Sequence, residues 1–121
     1  MTERFLGAAI ISILALVAGC GDSGTSSGGI DCSAVTPKGY SELSGAFSKC
    51  TTCHDSSLTS PTDRQSAPDD VNFDNYDDAK ASAEDSIGQI NEGLMPPSDQ
   101  TQLTATEKTD LLNWATCGTP Q

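Results

Sequence analysis

The segment Cys50-Thr51-Thr52-Cys53-His54 contains two thiols three residues apart, followed directly by the only histidine of the chain. Immediately upstream, Leu43, Phe47 and Cys50 recur at helical spacing, which predicts a helix over residues 40–51. Side chains three residues apart share one face of a helical turn, so we expect the two thiols on the same side.

The C-x-x-C-H spacing is the signal for covalent attachment of a c-type haem. Two thiols at this spacing can reach the two vinyl groups on one edge of a porphyrin, and the next imidazole falls under the iron as its proximal ligand. We therefore expect one covalent haem c, held through Cys50 and Cys53, with His54 as an iron ligand.

Three other interpretations of this motif are open. A structural zinc site needs four nitrogen or sulfur ligands, and the sequence has no second C-x-x-C and no histidine pair. A thioredoxin-like pair would be expected in a βαβ context, which the sequence lacks. A disulfide between Cys50 and Cys53 would leave His54 without a role. The haem interpretation uses all three side chains and is therefore favoured.

Met95 is the candidate for the second axial ligand of the iron. It lies in the segment Gly93-Leu94-Met95-Pro96-Pro97, just past the second predicted helix, and the only other methionine is Met1. A thioether opposite an imidazole raises the reduction potential of a haem. The alternative is that Met95 only fills a gap in the apolar core.

Two more helices are predicted downstream, and no segment shows the alternation of a strand. The second helix covers residues 76–92, ends at Gly93 and carries one apolar stripe, made of Tyr76, Ala79, Ala83, Ile87, Ile90 and Leu94. The third covers residues 105–116 and begins with a capping box of Thr104 and Glu107. Its buried face is expected to comprise Leu111, Leu112 and Ala115. The fold class is therefore all-α, with residues 55–75 as an ordered but irregular loop.

The N-terminus has the pattern of a targeting signal. Arg4 precedes an apolar run over residues 5–18, and the segment Val17-Ala18-Gly19-Cys20 resembles the lipobox of bacterial lipoproteins. We expect a signal peptide over 1–19, a lipidated Cys20, a flexible tether over 20–31 and a folded domain over 32–121. The protein would then be exported and lipid-anchored to the bacterial cell envelope, facing the periplasm or the exterior. An uncleaved anchor or an ordinary signal peptide is the alternative.

The number of cysteines supports this scheme. Of the five cysteines, Cys20 would carry lipid and two would hold haem, which leaves Cys32 and Cys117. One precedes the first helix and the other ends the last, so a disulfide between them is expected in an oxidising compartment. Two free thiols are the alternative.

The charge of the chain restricts its partners. There are 17 acidic and 6 basic side chains, for a net charge of −11. Nucleic acid is not expected as a partner, because nothing here would neutralise a run of phosphates. The acidity either steers basic partners or only keeps the protein soluble. Only 36% of the residues are hydrophobic, so a haem would add needed apolar surface to a small core.

Over residues 39–118 the chain resembles the class I cytochrome c family. The shared pattern is a helix leading into C-x-x-C-H, an irregular loop, a helix, a Met-Pro pair and a final helix with an aromatic residue. Residues 67–76, 95–97 and 112–118 are similar to segments of predicted haem lipoproteins of myxobacteria-like organisms.

The resemblance implies a small cytochrome c-like fold of about three helices around one haem, and electron transfer as the function. It implies Cys50 and Cys53 as thioether attachments, His54 as proximal ligand and Met95 as distal ligand, with no catalytic residues. It also implies that a proline carbonyl, of Pro61 or Pro68, accepts a hydrogen bond from the proximal imidazole. Redox proteins are the implied partners. The alternatives are a haem-based sensor, a peroxidase-like enzyme or a haem subunit of a larger oxidoreductase.

Overall fold

The computed structural model describes residues 29–121, and all regular structure in this range is helical. A 3-10 helix over Tyr40–Leu43 continues directly into α1, Ser44–Cys50. Helix α2 covers Tyr76–Ala81, α3 covers Ala83–Asn91 and α4 covers Ala105–Thr116. The prediction of an all-α class agrees with this content. The signal peptide, Cys20 and most of the tether lie outside the described residues.

Helix α4 has the predicted bounds, and its first turn explains why. The Thr104 hydroxyl accepts a hydrogen bond from the Glu107 N–H at 3.2 Å, and the Glu107 carboxylate accepts one from the Thr104 N–H at 2.7 Å. This reciprocal pair satisfies two backbone donors that the start of a helix leaves without partners. Beyond Cys117, Gly118 adopts a φ of +96°, which turns the chain out of the helix.

The prediction of one continuous helix over residues 76–92 is wrong, because the helix is interrupted at Ser82. Ser82 has a φ of −93° and a ψ of 2°, outside helical values, and separates α2 from α3. The acidic Glu84 and Asp85 lie in the first turn of α3 and favour a helix N-terminus at this point. Ser82 makes no side-chain capping hydrogen bond, so the Ser-x-x-Asp pattern at 82–85 does not form a capping box.

The core lies where α1 and α3 both pack against α4. Trp114 is its most buried large side chain, at 2% exposure, and the Phe47 ring meets it edge-on with 5.2 Å between centroids. The other members of the core cluster are Leu43, Ala46, Phe73, Ala79, Ala83 and Leu111. The apolar stripe predicted for the second helix is shorter than expected, since Leu94 is 52% exposed. In α4, Leu112 and Ala115 are only partly buried, and Trp114 supplies the buried face with Leu111.

The C-terminal tail folds back over the start of the 3-10 helix. The Pro120 carbonyl accepts hydrogen bonds from the Trp114 indole N–H at 2.8 Å and the Tyr40 backbone N–H at 2.9 Å. Gly39 lies so close to the tail that an added Cβ would come within 2.5 Å of the Gln121 backbone oxygen. A disulfide joins Cys32 to Cys117, with 5.4 Å between their Cα atoms. Both ends of the described chain are thereby held together.

No helix among residues 29–121 combines the length and the apolar character needed to cross a membrane.

Candidate cofactor site

The C-x-x-C-H motif forms a turn that continues α1. The Thr51 N–H donates to the Phe47 carbonyl, and the N–H groups of Cys53 and His54 both donate to the Cys50 carbonyl, at 3.1 and 2.9 Å. Packing of Phe47 against α4 therefore fixes the position of the whole motif. Phe47, three positions before Cys50, makes the aromatic contact with Trp114 of α4.

The four side chains predicted to hold a haem line one cavity. This cavity has a volume of about 650 Å³ and is bordered by Cys50, Cys53, His54 and Met95. Pockets that bind small molecules and cofactors typically measure about 300–1,000 Å³. Much of the remaining wall is apolar, contributed by Val71, Phe73, Ile90, Pro96 and Leu103.

Both motif cysteines are free and partly buried. Burial raises the pKa of the Cys50 thiol to about 11, so this thiol is protonated at neutral pH. Among residues 29–121, no group of three or more His, Cys, Asp or Glu side chains is arranged to hold a metal ion. Both thiols are therefore available for covalent attachment of a cofactor.

His54 is 9% exposed, and its ring is oriented by a backbone carbonyl. Its Nδ1 lies 3.0 Å from the Val71 carbonyl oxygen, which fixes the tautomer with the proton on Nδ1. Because the two ring nitrogens diverge, Nε2 is directed away from Val71, and the side chain borders the cavity. Burial and the Arg64 charge lower the pKa of His54, although the Val71 hydrogen bond opposes them. A neutral imidazole is the form that binds iron.

The prediction that a proline carbonyl accepts a hydrogen bond from His54 is wrong. The Pro68 carbonyl accepts from Arg64 Nη2, and the Pro61 carbonyl accepts from the Ser66 N–H, so neither oxygen pairs with the imidazole. The loop after the motif folds so that Phe73 N–H donates to the His54 carbonyl at 2.9 Å. This bond brings the nearby Val71 carbonyl, rather than a proline, beside the ring.

Met95 reaches the cavity from the chain segment that follows α3. Gly93, with a φ of +71°, turns the chain, and the N–H groups of Leu94 and Met95 both donate to the Gln89 carbonyl. Met95 is partly buried and stands outside the core cluster, so the alternative of a core gap-filler does not describe its position. A hydrogen bond also links the segment after Met95 to the loop after the motif, because Gln100 Nε2 donates to Gln65 Oε1 at 3.0 Å.

The prediction of the site missed Arg64 and the Val71 carbonyl. Arg64 borders the cavity and is buried at 3% exposure within the loop that follows the motif. The only signal in the sequence is that Arg64 is the sole arginine beyond Arg4. A backbone carbonyl such as that of Val71 has no signature in a sequence.

No protein-family model, curated protein or solved structure matches the chain. The motif and the geometry of the cavity are therefore the observations that indicate a function.

Proposed function

We propose that this protein is a small c-type cytochrome with a cytochrome c-like fold, which carries one electron at a time on a single covalent haem. The observation that supports the proposal most directly is that Cys50, Cys53, His54 and Met95 border one cavity of cofactor size. These residues come from two separate parts of the chain, 50–54 and 95. A purely structural role for the motif would not require a methionine at the same cavity.

The residues present fit the group that the motif implies. Cys50 and Cys53 are free thiols at the cavity wall and would hold the haem by two thioether bonds. His54 is neutral and oriented, and Met95 borders the same space, so the two would occupy the axial positions of the iron. When bound, the haem supplies an iron that alternates between the ferric and ferrous states.

The chain itself would then bury the haem and exclude water. The apolar wall, which includes Phe73 and Ile90, lowers the local polarity, and polarity around a haem is one determinant of its potential. With two protein ligands, no axial position remains for a substrate. An electron carrier is therefore favoured over a haem sensor or a peroxidase-like enzyme, both of which need an open position.

The proposed location is the bacterial cell envelope, with the domain exported and anchored through a lipidated Cys20. The proposed partners are redox proteins, whether the domain acts as a free carrier or as a subunit of a larger complex. The excess of 17 acidic over 6 basic side chains would favour partners with a basic docking surface.

Covalent attachment is tested by mass spectrometry of acid-denatured protein, produced in a bacterium that matures c-type cytochromes. The wild-type chain should carry the mass of one haem, and a Cys50→Ala, Cys53→Ala double variant should not. The matched control is Thr51→Ala, Thr52→Ala, which changes the two spacer residues and keeps the motif, so it should retain haem. Haem that extracts freely from the wild-type protein, or a wild-type chain that matures without haem, would contradict the proposal.

A further inference from the structure

Arg64 is the centre of the loop that follows the C-x-x-C-H motif. Its side chain donates to five backbone carbonyls and so uses all five of its N–H groups. Nε donates to Ala67, Nη1 donates to Asp55 and Leu58, and Nη2 donates to Pro68 and Val71. The acceptors lie at residues 55 and 58, before Arg64, and at residues 67, 68 and 71, after it. One side chain therefore connects the beginning of the loop to its end.

Within residues 29–121, the Arg64 guanidinium has no carboxylate partner. Two ion pairs occur among residues 29–121, Lys38 with Asp110 and Lys49 with Glu107, and neither involves Arg64. A charge buried to 3% exposure without a counter-ion is costly unless its hydrogen bonds are all satisfied. Here they are satisfied by backbone carbonyls alone, so the buried charge is stabilised by hydrogen bonds rather than by an ion pair.

The Val71 carbonyl is shared between Arg64 and His54. Arg64 Nη2 donates to this oxygen at 3.0 Å, and His54 Nδ1 lies at 3.0 Å from the same atom. A carbonyl oxygen has two lone pairs, and both are used here. The guanidinium therefore fixes the direction of the carbonyl, and the carbonyl fixes the plane of the imidazole.

We propose that Arg64 is a positioning residue for His54, acting through the shared Val71 carbonyl. This inference rests on the proposed function, in which His54 is an iron ligand. Groups that hydrogen-bond to a metal-bound imidazole orient the ring and set its basicity. A carbonyl that already accepts from a guanidinium is a weaker acceptor for Nδ1–H, so the imidazole is a weaker electron donor. This effect disfavours the ferric state and raises the reduction potential, and the positive charge of Arg64 acts in the same direction.

Two variants separate the charge of Arg64 from its hydrogen bonds. Arg64→Gln removes the charge and most donors, and it should lower the reduction potential and change the pattern of haem methyl NMR shifts that reports the imidazole plane. Arg64→Lys keeps a positive charge but cannot connect five carbonyls, so it should change the same pattern with a smaller fall in potential. Lys80→Gln is the matched control, because it removes one exposed positive charge over the Tyr76 ring, and it should leave both readouts at wild-type values.

A merely structural role would give a different result. In that case both Arg64 variants would unfold at lower temperature while the potential and the methyl pattern stayed as in the wild type, and the proposal would be overturned. If neither variant matures with haem, NMR of the isotope-labelled wild-type protein tests the proposal directly. Slow exchange of the His54 Nδ1 proton, together with a scalar coupling between an Arg64 Nη and the Val71 carbonyl carbon, is the expected result. Rapid exchange of that proton, or no such coupling, overturns the proposal.

The failure of this inference can be told apart from the failure of the proposed function. Covalent haem is read from the mass of the same sample, whereas the shared carbonyl is read from the His54 and Val71 resonances, which require only a folded chain. A haem-free protein that shows both NMR signals supports the shared Val71 carbonyl and contradicts the electron carrier. A protein that carries haem but lacks these signals supports the electron carrier and contradicts the positioning role.

Discussion

Lys49 Nζ and Glu107 Oε2 lie 2.6 Å apart, so an ion pair joins the residue before the first motif cysteine to the first turn of α4. Lys49 also donates to the Gln102 carbonyl at 3.1 Å, and the same Glu107 oxygen accepts from the Thr104 N–H. The end of α1 and the start of α4 are therefore held by one small polar network at the edge of the cavity.

This network predicts an acid-sensitive contribution to stability. Hydrogen bonds from Lys49 and from Thr104 lower the pKa of Glu107 from its ordinary value of 4.5 to about 2. A carboxyl with a depressed folded-state pKa stabilises the fold above its unfolded pKa and loses that contribution as pH falls through the folded value. The melting temperature of the wild type should therefore fall between pH 4.5 and about 2.

Glu107→Gln should flatten that part of the pH curve. The glutamine keeps the capping box but loses the ion pair, so the variant should be less stable by about 1 kcal/mol at neutral pH, a value limited by the partial exposure of the pair. Glu84→Gln is the control, since Glu84 is also acidic and lies in the first turn of α3. Parallel pH curves for the wild type and Glu107→Gln, measured by thermal unfolding, would rule out this role.

Met95→Ala should convert the proposed carrier into a ligand-binding haem protein. Loss of the sulfur ligand would lower the reduction potential, remove the weak far-red band of sulfur-ligated ferric haem and let reduced protein bind carbon monoxide. Leu94→Ala is the matched control, because Leu94 is the exposed neighbour and contributes no ligand. Rapid carbon monoxide binding by reduced wild-type protein, without the far-red band in the oxidised form, would favour the sensor or enzyme alternative.

Reduction of the Cys32–Cys117 disulfide should lower stability and leave the haem attached. The bond spans 85 positions of sequence, and closing a loop of that length contributes about 4–5 kcal/mol in the chain-entropy model. A Cys32→Ser, Cys117→Ser variant, compared with the wild type by denaturant unfolding, measures the loss. Peptide mapping under non-reducing conditions identifies the pair, and alkylation of both thiols in unreduced protein would exclude it.

Cys20 should carry the lipid that anchors the protein. Detergent phase partitioning should place the mature wild type with membranes, and Cys20→Ser should release it or block its processing. Ser26→Ala changes a residue of the same tether and should behave as the wild type. A mature wild-type protein that starts at another residue and partitions into water would show that the lipobox interpretation is wrong.

Local signals in the sequence predicted the parts of the fold that depend on neighbouring residues. Helix α4 has its predicted bounds because Thr104 and Glu107 satisfy its first donors by themselves. The break at Ser82 was missed, because the apolar stripe continues across it and conceals the competing helix start. Periodicity describes which face is apolar, and it does not detect a change of one residue's ψ angle.

The candidate site was predicted as far as its side chains have recognisable chemistry. Cys50, Cys53 and His54 follow from their spacing, and Met95 follows from its position after a predicted helix. The partner of His54 could not be predicted, because any backbone carbonyl can accept a hydrogen bond and only the folded loop selects one. Arg64 looks like an ordinary surface residue in a polar segment, and its burial follows only from the path of residues 55–71.

The disulfide between Cys32 and Cys117 also determines how a mechanical load would pass through the domain. A pull applied from the N-terminal side reaches Cys32 first, and the covalent bond transfers the force directly to the end of α4. The chain between Cys32 and Tyr40 therefore carries little of that tension. The same holds for α1 and the motif that follows it. The proposed anchor at Cys20 would therefore transmit force to the end of α4 rather than to the motif at residues 50–54.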